Sequence, residues 1–373
     1  MNGSNTPNRL ATALSDLVPV FAGRVTDLDA SDAFAGQNVQ DLKDRKVLSA
    51  MVPAAFGGGG ADFSEMTAFL RSLAQACPST ALCLSMHQHV VATNIVNARL
   101  GRPGEALLRK VAANEALITT TVAKDWIASS GTARPVEGGF RVDAHKTFVS
   151  GAPAGDVLVT SARTEGEAGI PEVLHFAISY DADGLQVCGE WRAHGMRGTG
   201  TVDVKLDGVL VPESAITLRR PAEGLHPLFH VILTVAPTLI MSCYMGIADR
   251  ARDLAIDAVC RERPDSLRHA RIGELEAAHT TAKLAHQDMV ALVQELQFDP
   301  SPERATDVLV RKSILSENVM ATCGLCAAIV GAAGYLRSSE IERLLRDARA
   351  AAMHPMPTDQ LYVHAGEMLC RTP

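Results

Sequence analysis

Residues 195–213, GMRGTGTVDVKLDGVLVPE, pass from a glycine-rich turn into a run in which apolar and polar residues alternate. Val202, Val204 and Leu206 are separated by single polar residues, and this period of two predicts a half-buried β-strand. Similar short runs, bounded by Gly, Asp and Pro, recur from about residue 117 to residue 216. The middle of the chain is therefore predicted to form a β-domain.

The regions on either side of these strands have the helical period instead. The preceding region contains FSEMTAFLRSLAQAC and ALCLSMHQHVVATNIV, and the following region contains four longer amphipathic segments between residues 240 and 353. We therefore predict an α+β fold made of a helical N-terminal domain, a middle β-domain and a C-terminal four-helix bundle. The expected domain boundaries are 1–115, 116–220 and 221–373.

Composition and charge argue against nucleic-acid binding, a membrane span and secretion. The 373 residues carry a formal net charge of −7, without a long basic run, which disfavours nucleic-acid binding. The longest apolar stretch, Val231–Ile247, is interrupted by Pro237, so a buried helix is expected in preference to a membrane span. The N-terminus has no basic region followed by a long apolar one, which disfavours a secretion signal. We expect a cytoplasmic protein.

The eight cysteines are scattered, and only Cys323 and Cys326 form a C-x-x-C pair. A redox or metal pair is one interpretation, but no second C-x-x-C lies nearby. Reduced thiols packed inside a helix are the favoured interpretation, and no metal site is predicted.

Four stretches of the chain together resemble the acyl-CoA dehydrogenase superfamily. They are VPAAFGGGGADFSEMTAFLRSLAQACPSTAL (52–82), HKTFVSGAPAGDVLVTSAR (145–163), the stretch 195–213, and IVGAAGYLRSSEIERLLRDAR (329–349). Gly-rich turns are common singly, but four such matches in the right order span most of the chain. The resemblance implies the three-part fold given above and a bound flavin.

The resemblance also implies which residues hold the flavin and the substrate. The flavin residues would be Thr119, Thr121, Phe148, Ser150, Gly331 and Gly334, and the substrate residues would be Lys124 and Arg346. The alternative for the threonines and the phenylalanine is that they are simply good strand formers. FAD is the expected flavin. FMN is the alternative, because the family motif that holds the adenine half of FAD is missing around residues 260–276.

The family's catalytic carboxylate is missing from its usual place. A dehydrogenase needs a carboxylate within reach of the proton next to the thioester. Where the family has Tyr-Glu after the Arg-Asp helix, this chain has His354 and Pro355. The other place that relatives use, at the opening of the bundle, has no acid within residues 226–241. Asp359 is the nearest carboxylate and the candidate for a relocated base.

Histidines occupy the region instead. His354 follows the Arg-Asp helix, and His87 and His89 lie on an early helix that faces the active site in this family. Residues two apart on a helix point about 200° apart, so only one of His87 and His89 can face the flavin. This arrangement of histidines resembles the oxygenating branch of the superfamily. Imidazole suits an oxygenating site, because it can donate and accept protons near neutral pH. Alternatively, His354 only caps the preceding helix as a cation.

Three functions follow from these observations. The favoured one is an oxygen-using flavoenzyme, a monooxygenase or an oxidase, acting on a CoA-thioester or aromatic substrate with a flavin reductase as a candidate partner. The second is an acyl-CoA dehydrogenase with a relocated base, which passes electrons to an electron-transfer flavoprotein. The third is a non-catalytic binding protein. A homo-tetramer or dimer is expected through the apolar helices at 240–258 and 313–331.

Overall fold

The computed structural model describes residues 9–121, 123–166, 169–261 and 266–370. Its N-terminal part is helical: α1 Arg9–Ser31, α2 Gly36–Asp44, α3 Phe63–Ala76, α4 Pro78–Arg99 and α5 Glu105–Asn114. Asp62 and Glu65 form a capping box that fixes the start of α3. Pro78 occupies the first turn of α4, where its missing N–H costs nothing, so α3 and α4 are joined by Cys77 alone.

The middle part is one eight-stranded sheet with a short helix. Its elements are β1 Ile118–Thr120, α6 Ala123–Ala128, β2 Thr132–Val136, β3 Gly139–Val149, β4 Val157–Glu165, β5 Pro171–Ser179, β6 Leu185–Cys188, β7 Val202–Pro212 and β8 Ile216–Pro221. The strand order is β6-β7-β3-β2-β4-β5-β8, and β1 pairs in parallel with β4. The alternating run at 202–212 is β7, which pairs with β3 and β6 and buries Val202, Val204 and Leu206.

The C-terminal part consists of α7 Leu228–Cys260, α8 Ser266–Val293, α9 Pro302–Val330, α10 Glu340–Ala348 and α11 Thr358–Cys370. The long helices α7, α8 and α9 pack on one another, and α10 and α11 pack against α9. The three-part order of helices, sheet and helical bundle agrees with the fold expected from the sequence.

Two helices are long and apolar enough to cross a bilayer by length and composition, Leu228–Cys260 and Pro302–Tyr335. The most apolar window of the first is 89% buried inside the fold, as expected of a core helix. The apolar surface of α7 is thus largely covered within the chain, and a contact of residues 240–258 with a second copy remains a prediction. The window of the second is only 33% buried. Val310 and Ile314 are exposed on α9, and Tyr362 and Val363 are exposed on α11, which packs against α9.

Candidate active site

The edge of the sheet nearest α4 carries three consecutive threonines at β1. The Thr119 hydroxyl shares a hydrogen bond of 2.6 Å with the Tyr180 hydroxyl. The Trp126 indole donates to the Thr120 hydroxyl at 2.7 Å. The Thr121 hydroxyl is buried without a hydrogen-bond partner among the described residues. Of the two threonines predicted to bind flavin, Thr121 therefore has a free hydroxyl, whereas Thr119 already has a partner.

The rings of Phe148 and Trp191 form an aromatic shelf at the end of β3. Phe148 is 58% exposed with a positive φ of 56°, and its ring meets the edge of Trp191 at 6.4 Å. The Ser150 hydroxyl is 2.9 Å from the Thr201 hydroxyl, which is 2.8 Å from that of Thr199. An exposed aromatic ring beside several hydroxyls fits the apolar face and polar edge of a flavin ring, and the free Thr121 hydroxyl after β1 is a further candidate contact. Phe148, Ser150 and Thr121 would hold it.

Two members of this hydroxyl chain, Thr199 and Thr201, were missed in the sequence. They lie in the turn RGTGT before β7, where alternation of Gly and Thr looked like turn chemistry alone. Only the pairing of β7 with β3, which places Val202 opposite Val149, brings the Thr201 hydroxyl to Ser150.

Helix α6 exposes Lys124 and buries Asp125. Asp125 is buried and accepts two bonds of 2.9 and 3.0 Å from Lys146, which is itself fully buried. This ion pair anchors α6 to β3, since the Lys146 ammonium also donates to the carbonyl oxygens of Ser130 and Ser161. Lys124 is exposed on the outer side of α6, and its predicted contact with substrate remains a prediction.

Gly331 and Gly334 lie in the turn Gly331–Tyr335 that ends α9. Gly331 has a positive φ of 72°, which an L-residue adopts only with strain. The turn leads to a cavity of about 790 Å³ between α1 and the start of α10, which Arg250, Arg337 and Arg343 line. None of the described residues around the aromatic shelf lines this cavity. A flavin role for the two glycines therefore remains a prediction.

His87 and His89 have different surroundings. The His87 ring is bound on both sides: Nε2 lies 2.9 Å from the Leu48 carbonyl oxygen, and Nδ1 accepts from the Ile118 backbone N–H at 3.0 Å. Burial lowers the pKa of His87 to about 4, so the ring is neutral. With both nitrogens engaged, His87 ties α4 to β1 and has no nitrogen left for substrate.

His89 lies on the other side of α4. Its Nδ1 is buried without a hydrogen-bond partner within the described part of the chain. Burial lowers the pKa of His89 to about 4 as well, and the backbone of Ser85, one turn earlier on α4, offsets part of this fall. Of the two histidines that could face a ligand, His89 is the one with an unused nitrogen, and it keeps the proposed role that His87 loses.

His354 lies in the turn between α10 and α11, with its ring 5.4 Å from that of Tyr244 on α7. The Tyr244 hydroxyl is buried and has no partner among the residues described. Burial and the neighbouring Lys312 lower the pKa of His354 to about 4. Neutral imidazole is therefore present at pH 7, which argues against the alternative of a cationic helix cap.

Lys312 is a further residue of this site that sequence analysis missed. It is 0% exposed on α9, and its ammonium donates to the Met356 carbonyl oxygen at 3.1 Å. Burial lowers the pKa of Lys312 to about 8. Nearby, the Ser316 hydroxyl donates to the Ala351 carbonyl oxygen at 3.2 Å. The sequence signal for this residue was a lysine at a core-facing position of a predicted helix. Lysines are rarely buried unless they are paired, so such a position suggests a special role.

Two other predicted residues have different environments. Asp359 is exposed in the first turn of α11. Arg346 is bound to Asp29 at 2.6 and 3.0 Å and to Glu342 at 2.7 and 3.0 Å. The arginine thus ties α10 to α1, which corrects its predicted contact with substrate to a structural role. Its neighbour Asp347 accepts from the Met196 backbone N–H at 2.5 Å.

The C-x-x-C pair lies in the core of the bundle. Cys323 and Cys326 are buried, unbonded thiols on α9. Burial raises the pKa of both thiols, which disfavours the reactive thiolate form. Among the residues that the structure describes, no group of three or more His, Cys, Asp or Glu could hold a metal ion.

Family models match both helical parts of the chain. The N-terminal domain of acyl-CoA dehydrogenase matches residues 17–113, and its C-terminal domain matches residues 239–358. The amino sugar nitrososynthase DnmZ of Streptomyces peucetius is 29% identical over 93% of this chain and 89% of its own. A putative acyl-CoA dehydrogenase of Bacillus subtilis, YdbM, is 27% identical over 92% of each chain.

Solved structures agree with these matches. KijD3 in complex with FMN and dTDP-3-amino-2,3,6-trideoxy-4-keto-3-methyl-D-glucose superposes with a TM-score of 0.88 at 27% identity, covering 98% of this chain and 95% of that one. A nitrososynthase from Micromonospora carbonacea var. africana gives 0.86 at 25% identity, covering 98% and 96%. The fold of this chain and these matches show that it belongs to the acyl-CoA dehydrogenase superfamily of flavin-dependent oxidoreductases.

Proposed function

We propose that the protein is a flavin-dependent monooxygenase that oxidises a small organic molecule with molecular oxygen. The observation that carries this proposal is the set of groups around His354. A neutral imidazole, a buried tyrosine and a buried ammonium lie at the turn after α10, and this turn has no carboxylate of the kind that desaturation requires. The nitrososynthases among its relatives support an oxygenase over an oxidase.

The alternative, desaturation of an acyl-CoA, needs a carboxylate that can reach the reacting carbon. The turn after α10 reads His354-Pro-Met-Pro and has no acid. Asp359 is exposed on α11, and the buried Asp347 is engaged with the Met196 N–H. Neither carboxylate is arranged to act as the base of a dehydrogenation.

The chain's own groups suit proton transfer in a dry site. A bound reduced flavin supplies the electrons that oxygen requires. The neutral His354 ring has an unprotonated nitrogen that can accept a proton, and its pKa of about 4 means that the cation so formed returns the proton readily. The Tyr244 hydroxyl, whose pKa burial raises well above its usual value, stays protonated and can donate a hydrogen bond.

We propose FMN as the flavin, in preference to the FAD favoured from the sequence. Support comes from the FMN complex of KijD3 and from the missing adenine-binding motif around residues 260–276. The described residues form a mostly antiparallel sheet and no doubly wound sheet of the kind that binds nicotinamide dinucleotides. We propose that a separate reductase therefore supplies the reduced flavin.

The test is a comparison of electron acceptors. The protein is loaded with FMN or FAD, reduced without oxygen, and mixed with ¹⁸O₂ in the presence of the amino-sugar nucleotide bound by KijD3. Incorporation of ¹⁸O into the product, detected by mass spectrometry, is the expected result. Anaerobic desaturation of octanoyl-CoA with an artificial electron acceptor, without ¹⁸O incorporation in any product, would establish the dehydrogenase instead.

A further inference from the structure

One face of α4 changes from apolar to polar along its length. Leu82 and Met86 begin this face, and His89, Thr93 and Asn97 continue it at intervals of three and four residues. At 3.6 residues per turn, all five side chains lie within about 80° of one another around the helix axis. His89, Thr93 and Asn97 are called the polar line of α4 below.

The polar line contains hydrogen-bonding atoms that the fold does not satisfy. Within the described part of the chain, His89 Nδ1 and Asn97 Oδ1 are buried without partners. The two residues are only 7% and 9% exposed, while the Thr93 hydroxyl donates to the His89 carbonyl oxygen. A buried polar atom without a partner is destabilising, so two on one helix face indicate a group that binds there.

The polar line runs away from the candidate active site. Leu82 and Met86 pack in the same apolar cluster as Tyr244, whose ring contacts His354. At the other end of α4, Arg102 is close enough to His226, just before α7, to lower the pKa of that histidine. His89 and Asn97 are eight residues apart, which is about 12 Å along a helix. The line is thus as long as a small substrate.

We propose that the polar line binds a hydroxyl- or amine-bearing, sugar-like part of the substrate, and not an alkyl chain or an aromatic hydrocarbon. The Asn97 carbonyl oxygen needs a donor, which hydroxyl and amine groups supply. His89 Nδ1 can donate or accept according to its tautomer. This inference rests on the proposed function, and it replaces the CoA-thioester or aromatic substrate expected from the sequence.

Ligand binding to the FMN-loaded protein without oxygen tests the inference independently of turnover. The probes are the amino-sugar nucleotide bound by KijD3, octanoyl-CoA and indole, each titrated by calorimetry. The expected result is that the amino-sugar nucleotide binds most tightly and that Asn97→Leu weakens its binding about 10-fold. The control is Asn94→Leu, because the Asn94 amide donates to the Val90 carbonyl oxygen of its own helix. It should bind the probe as the wild type does.

Thermal unfolding without ligand supplies the second measurement. If Asn97 and His89 serve a ligand, Asn97→Leu and His89→Leu should leave the melting temperature unchanged or raised, because each removes an unsatisfied buried atom. Tighter binding of octanoyl-CoA or indole, binding of none of the probes, or a melting temperature lowered by both variants would each overturn the inference. Binding that follows the prediction without any oxygen-dependent turnover would refute the monooxygenase alone.

Discussion

Replacing Lys312 with Met should make the protein more stable and less active. Lys312 is fully buried, and its one hydrogen bond in the described structure goes to the Met356 carbonyl oxygen. The fall in its pKa from 10.5 to about 8 corresponds to about 3 kcal/mol. The charge-assisted bond that Met removes is worth about 2 kcal/mol. The free energy of unfolding at pH 7 should therefore rise by about 1 kcal/mol in Lys312→Met.

The pH dependence identifies the cause. Below pH 8 the lysine is protonated in both the folded and the unfolded chain, and the wild type bears the whole cost of the buried charge. Between pH 8 and 10.5 the unfolded chain binds more protons than the folded chain, so the stability of the wild type rises with pH. Lys312→Met lacks this rise, so its advantage of about 1 kcal/mol should vanish near about pH 9, and the wild type should be the more stable protein at pH 9.5.

The loss of activity should come from the turn that carries His354. Without the bond to Met356 the turn is held less firmly, and a misplaced catalytic group costs about 10-fold or more in kcat. Denaturant unfolding at pH 7 and 9.5 and oxygen consumption at saturating substrate measure the two effects. The control is Lys283→Met, which changes an exposed lysine on α8. A Lys312→Met variant that was less stable at pH 7, or fully active, would refute the reasoning.

Four further changes test other parts of the structure. Ser150→Ala should weaken FMN binding by about 0.5–1.5 kcal/mol in a fluorescence titration, and unchanged affinity would remove Ser150 from the flavin site. His354→Ala should lower oxygen-dependent turnover by about 10²–10⁴ with FMN binding kept, whereas loss of activity in Asp359→Asn alone would favour the dehydrogenase. His87→Ala should lower the free energy of unfolding by about 3 kcal/mol, because it leaves two buried backbone groups unpaired. The pKa of His87 in the folded protein, about 4, lies below its ordinary value of 6.5. The contribution of His87 to stability should therefore fade as the pH drops from 6.5 to 4. Ile314→Asp should reduce the mass seen in light scattering if the exposed face of α9, 40% exposed at this residue, joins two copies.

The order of helices, sheet and helical bundle could be predicted from the sequence because it depends on local periodicity. Alternation at residues 202–206 and helical spacing around the middle region record which face of each element is buried. The absence of the catalytic carboxylate could also be predicted, because the turn in question is located by its short distance along the chain from Arg346 and Asp347. Flavin-edge residues such as Ser150 followed from the family resemblance.

The partners of each side chain were decided by tertiary structure alone. Nothing local distinguishes His87 from His89, but the Leu48 carbonyl oxygen and the Ile118 N–H of β1 occupy the two nitrogens of His87, whereas Nδ1 of His89 is left unused. Arg346 looked like a substrate residue until Asp29, 317 positions away, proved to bind it. Lys312 belongs to the site only because α9 packs against the turn that carries His354, where its ammonium donates to the Met356 carbonyl oxygen. Burial and hydrogen bonding depend on groups distant in the chain, and sequence periodicity does not record them.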